Sequence, residues 1–186
     1  MKIPEYVYEQ LMSDFFFLDR AVFKKAIPVY LVEKLARKNP GRKREISAYA
    51  SFSTASTSSG KKYYYEIARN VSGRVKKLSQ LEIMGMAVHE IRHRFQTENP
   101  ACLLKDDFIL SRNSTADQLI KTLRSEYLQV SKNYYEKELD AVLISIVFSQ
   151  TFESYESAFS SRGKVADIIK CIPERYDVLI KQLRNK

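Results

Sequence analysis

The chain has only two cysteines in 186 residues, Cys102 and Cys171. Two are too few for a disulfide framework, and both lie in or beside apolar stretches. They are read as buried free thiols, which suits a reducing, cytoplasmic setting. Long hydrophobic runs are also missing. No stretch approaches the roughly 20 apolar residues of a membrane span. The N-terminal "MKIPEYVYEQLMSDFFF" has acids and Pro4 where a secretory signal keeps a continuous apolar region. Neither a membrane protein nor a signal peptide is expected. Internal repeats are absent as well.

What is present describes one globular domain spanning 1–186. Apolar residues make up 45% and charged residues 28% of the chain, and the length is enough for a real core. The net charge is +9. Much of the excess sits in "ARKNPGRKRE" and "SGRVKKLSQ", read as solvated basic loops that could meet an anionic partner.

The pattern of elements points to an α+β, mostly helical fold. Apolar residues recur at helical spacing from Tyr6 to Phe17 and from Ala21 to Leu35, where Pro28 would kink the second helix. "ISAYASFS" and "YYYEIARNV" are the only convincing strands. With the polar "TASTSSGKK" read as the loop between them, they predict a small antiparallel sheet or hairpin at about 45–70. Ser79 and Glu82 form a capping-box pattern that opens a helix ending at Asn99-Pro100. Further helices are expected at about 115–130, with Ser114 as cap, at 132–150 and at 164–184, the last interrupted by Pro173. The serine-rich stretch 157–161 reads as a loop.

Histidine is scarcer still in its placement. Both histidines of the chain lie in "MAVHEIRHRFQ", as His89 and His93, with Glu90 beside the first. Four residues apart on a helix, the two imidazoles share one face and can converge on one zinc ion. Glu90 lies about 100° around the helix. It is placed to act as general base on a zinc-bound water rather than as a ligand. This is the H-E-x-x-H motif.

A catalytic zinc usually takes three protein ligands, and no histidine remains. The metzincin continuation fails, because Gln96 and Asn99 occupy its glycine and third-histidine places. Both cysteines lie downstream of the motif, which argues against a deformylase-like site. An acid on a later helix is left. In "NYYEKELDAVLISIVF", Glu136 and Asp140 share a face just before an apolar run. Glu136 is expected to ligate zinc, with Glu126 the second choice. Asp140 is expected to accept a hydrogen bond from the far nitrogen of His89. Glu138 is read as a solvated acid near Lys137.

"HEIRH" followed by "EKELDA" resembles the gluzincin pattern, HExxH with a downstream ExxxD, of thermolysin-like zinc metallopeptidases and their minimal single-domain members. The resemblance covers about 62–145. It implies a zincin-like active-site helix, His89, His93 and Glu136 as ligands, Glu90 as base, Asp140 behind them and peptide or protein as substrate. It also implies an edge strand before the helix that pairs with extended substrate, expected at Tyr63, Tyr64 and Tyr65. The gap from His93 to Glu136 is longer than in that group, and no histidine is left to stabilise a tetrahedral intermediate. Tyr135 is the expected donor, with Tyr134 or Arg94 as substitutes. The alternative function is an inactive or regulatory protein on the same scaffold, binding nucleic acid or a protein partner through its basic surface.

Overall fold

Helix α1 (Glu5–Phe23) forms where Val7, Leu11, Phe15, Leu18 and Val22 recur at three- and four-residue spacing, and all five are buried. It ends at Lys24, whose backbone is left-handed at φ 60°. The computed structural model describes residues 1–35, 48–72, 75, 77–103, 121–125, 131–175 and 178. The helix expected over Ala21–Leu35 does not form. Instead β1 (Val29–Val32) follows Pro28, because the ring cannot donate within a helix and the Val-Tyr-Leu-Val run suits a strand. The Pro28 carbonyl accepts from the Tyr65 N–H at 2.9 Å.

Strands β2 (Ala50–Thr57) and β3 (Gly60–Ala68) pair antiparallel, from Ala50 opposite Ile67 to Thr57 opposite Gly60. The expected hairpin is there, but much of its "TASTSSGKK" loop is strand, leaving a tight turn at Ser58-Ser59. Gly60 has φ +113°, a conformation that L side chains rarely adopt. β1 joins the other side of β3 in parallel, so the sheet is mixed and its order is β1-β3-β2.

The HExxH segment lies on α2 (Gln80–Glu98), which opens with the capping box as expected. The Ser79 N–H donates to Glu82 Oε2 at 2.7 Å, and the Glu82 N–H donates to Ser79 Oγ at 3.2 Å. A short 3-10 turn at Pro100–Cys102 follows. Residues 121–125 are helical; Ser114, Glu126 and the rest of the helix expected there lie outside the described residues. Helix α3 (Lys132–Thr151) matches its expected bounds. The helix expected at 164–184 with a break at Pro173 begins slightly earlier and is broken there: residues 173–175 and 178 are helical again, and the rest of that span lies outside the described residues. The serine-rich stretch is α4 (Tyr155–Ser160), capped by Ser154, and α5 (Arg162–Ile169) stops before Pro173.

The fold is mostly helical with a small sheet. Helix α2 lies at its centre, packed against α1, α3, α5 and β2. Among the described residues, no helix is long and apolar enough to cross a membrane.

One buried acid makes a stability prediction. Asp14 is fully buried on α1 and accepts from the Gln10 amide and the Tyr155 hydroxyl, each at 3.1 Å. Burial pushes its pKa up to about 6, against the pull of those two hydrogen bonds. The folded state therefore holds the proton more tightly than the unfolded chain. Stability from this group is fully present below pH ~4 and falls as pH rises to about 6. Asp14→Asn should flatten that slope and gain on the order of 1–3 kcal/mol at pH 7. Urea unfolding between pH 4 and 7 checks it; an unchanged slope contradicts it.

Candidate metal centre

Helical spacing brings His89 and His93 of α2 together as expected. Their Nε2 atoms are 3.1 Å apart and the ring planes stand at 86°. The acid that meets them is Glu138 of α3. Its Oε2 is 3.5 Å from His89 Nε2, and its Oε1 is 3.5 Å from His93 Nε2. The three groups could hold a metal ion. A tetrahedral ion with bonds of about 2.05 Å sets its ligand atoms about 3.3 Å apart, by simple geometry on the usual N and O bond lengths. The 3.1 Å between the two imidazole nitrogens is close to that edge, and each nitrogen has its own Glu138 oxygen at 3.5 Å.

Glu136, the expected ligand, stands elsewhere. It is more than a third exposed and lies 3.8 Å from Lys132, one turn back along α3. Glu138, expected in solvent, is 6% exposed at its side chain. The two acids point about 160° apart around the helix, from 100° per residue. Packing of Tyr135, Leu139 and Leu143 into the core turns Glu138 inward. A signal for this exists in the sequence. Tyr135, Glu138, Leu139 and Val142 follow the i, i+3, i+4, i+7 rhythm of a buried face, with a carboxylate where an apolar residue belongs.

Asp140 is also reassigned. It does not meet His89. It is fully buried and takes two hydrogen bonds from Arg92, at 2.7 and 2.8 Å. Arg92 is itself fully buried and donates further to the carbonyls of Cys102, Ile169 and Cys171. Asp140 Oδ2 accepts as well from the Gln96 amide, whose oxygen lies 3.0 Å from His93 Nδ1.

Glu90 is 6% exposed, and its Oε2 accepts from the Phe52 N–H at 2.8 Å. That bond identifies the strand beside the site. β3, with Tyr63, Tyr64 and Tyr65, is the central strand and is paired on both sides. It has no open edge to offer. Tyr65 is buried, stacked on Phe15 and bonded through its hydroxyl to Asp19. Among the described residues β2 is the edge strand near α2. The Phe52 N–H points outward to Glu90, so Ala50 and Thr54, in phase with it, also turn their backbone groups to the open side.

Two of the expected donors are engaged in other surroundings. Tyr135 is 3% exposed in the core. Arg94 is bound to Asp19 and Glu98. Tyr134, by contrast, lines a cavity of about 510 Å³ with Ser51, Ser53, Lys61 and Lys137, and His93 opens onto it. A second cavity, of about 540 Å³, is lined by Ala50, Leu78, Met86, Leu123 and Val142, and His89 opens onto that one. Glu90 and Glu138 border both.

The electrostatics favour extra positive charge among the three groups. Burial would raise the Glu138 pKa, but hydrogen bonds from His89 and His93 and their charges hold it far below the usual carboxylate range. Burial works against protonation of His93. The hydrogen bond and charge of Glu138, the charge of Glu90 and the bond to Gln96 outweigh it and push the pKa up to about 9. Comparison with protein-family models, curated proteins and solved structures found no match.

Proposed function

We propose that the chain is a zinc-dependent hydrolase of peptide bonds. His89, His93 and Glu138 are the ligands and Glu90 is the general base. The observation that carries the reading is the cluster of the three groups, with the two Nε2 atoms 3.1 Å apart and a different Glu138 oxygen 3.5 Å from each, and with Glu90 on the wall of both flanking cavities. When bound, zinc would lower its water's pKa to about 7 and polarise the substrate carbonyl. Glu90 takes the water's proton and passes it to the leaving nitrogen. Its bond to the Phe52 N–H fixes one carboxylate oxygen against the edge strand. An extended peptide lies along the open side of β2, adding a strand across the two cavities. Tyr134 takes the donor role first expected of Tyr135.

Metal analysis of purified protein tests the reading. One zinc per chain is expected. Glu138→Ala should weaken zinc binding by more than about 100-fold, since even the outer partners of a ligand are worth about 10–100-fold. Glu136→Ala should leave it unchanged. A native chain without zinc, or zinc retained in Glu138→Ala and lost in Glu136→Ala, defeats the assignment.

A further inference from the structure

We propose that Gln96 is a positioning residue of the metal centre. It holds His93 with its proton on Nδ1, so that the Nε2 lone pair faces the metal. The inference rests on the metal reading above and goes beyond its ligand set.

The argument starts from an amide that has one orientation open to it. The Gln96 nitrogen lies 2.8 Å from the Lys137 carbonyl and 2.6 Å from Asp140 Oδ2. A carbonyl and a carboxylate oxygen only accept, so both contacts need the NH2 end of the amide, and its two hydrogens are used. Reversing the amide would set its oxygen against two other oxygens. The oxygen is therefore the atom 3.0 Å from His93 Nδ1. An amide oxygen only accepts, so Nδ1 carries a hydrogen whether the ring is neutral or cationic. The neutral ring then has its lone pair on Nε2, the atom that faces His89 and Glu138. The gain is in pre-organisation. Neither the tautomer nor the ring angle has to be selected when the metal arrives.

Gln96 is held in turn by a rigid neighbour. It is 1% exposed. Asp140, its acceptor, is clamped by Arg92, whose five N–H groups all have acceptors: two on Asp140 and three backbone carbonyls. The orientation of the ligand ring thus depends on a buried network that also gathers the 3-10 turn after α2 and the chain leaving α5.

Zinc affinity and the His93 ring nitrogens test this together. Competition with a chelator should show zinc bound about 10–100-fold more weakly by Gln96→Leu than by the native chain. Nitrogen-15 spectra of the native chain should show His93 protonated at Nδ1 with and without zinc, and the Nδ1 proton should exchange faster in Gln96→Leu. If Gln96→Leu is poorly folded, the native spectra still decide. A His93 ring carrying its proton on Nε2 alone in the zinc-free native chain overturns the inference, as does unchanged affinity in folded Gln96→Leu. A native chain that binds no zinc instead overturns the proposed function, and this inference with it.

Discussion

With Glu90 replaced by glutamine, zinc content should stay at the native level while peptide hydrolysis falls by about 10²–10⁴-fold, the usual worth of a positioned general base. The two halves of this expectation have separate physical causes. Glu90 is not among the three groups that could hold the metal, so losing its charge leaves that set intact. The glutamine oxygen can still accept the Phe52 N–H that now bonds Oε2 at 2.8 Å, so the edge strand keeps its anchor on α2. What the amide cannot do is take a proton. Metal analysis and mass spectrometry of a digested pool of unfolded polypeptide, run side by side on native and variant chains, read both halves. Equal cleavage by the two proteins would remove Glu90 from the mechanism. Loss of zinc in Glu90→Gln would show that the carboxylate holds the site together instead.

Arg92→Met is the substitution expected to cost the most stability. Arg92 and Asp140 are both fully buried and joined by two hydrogen bonds. Taking away the guanidinium leaves a buried carboxylate with the Gln96 amide alone of these donors, and leaves three carbonyls without the Arg92 donors they now have. Breaking one side of a buried pair costs about 3–5 kcal/mol. A domain of this length is stable by about 5–15 kcal/mol in total. Thermal unfolding should therefore drop by about 6–20 °C. The pair as a whole need not be stabilising, because an apolar pair of similar volume avoids the desolvation. Arg92→Met with Asp140→Leu should accordingly recover much of the loss measured for Arg92→Met alone. A drop under 1 kcal/mol in the single variant would mean that the network contributes little to the fold.

The parts of the site legible in the sequence are those decided within one helical turn or two. His89, Glu90 and His93 are close because of helix geometry, and the helix starts where Ser79 and Glu82 satisfy its free N–H groups. The choice between Glu136 and Glu138 was not legible in the same way. Through its middle α3 is buried on most of its circumference, at Glu138, Leu139, Asp140, Ala141, Leu143 and Ile144. Its apolar rhythm therefore marks several inward stripes, of which the one through Tyr135, Glu138, Leu139 and Val142 is only one. The ExxxD half of the gluzincin resemblance does not match the geometry, since Glu138 stands beside the imidazoles and the residue four on is Val142. Arg92 and Gln96 gave no signal of their own. A charged or amide residue beside two histidines on a helix reads as solvent-facing until the partner carbonyls are known.

The strands divide similarly. The hairpin follows from alternation and aromatic content, both local. Which of its two strands faces the site follows from β1. A four-residue run after Pro28 occupies one side of β3, closes that edge and leaves β2 open beside Glu90. Local chemistry alone thus determined the HExxH helix, its cap, two imidazoles on one face and a neighbouring carboxylate. Tertiary packing decided which acid meets the imidazoles, the open strand and the buried arginine, because each depends on which way an element is turned when residues far apart in the chain meet.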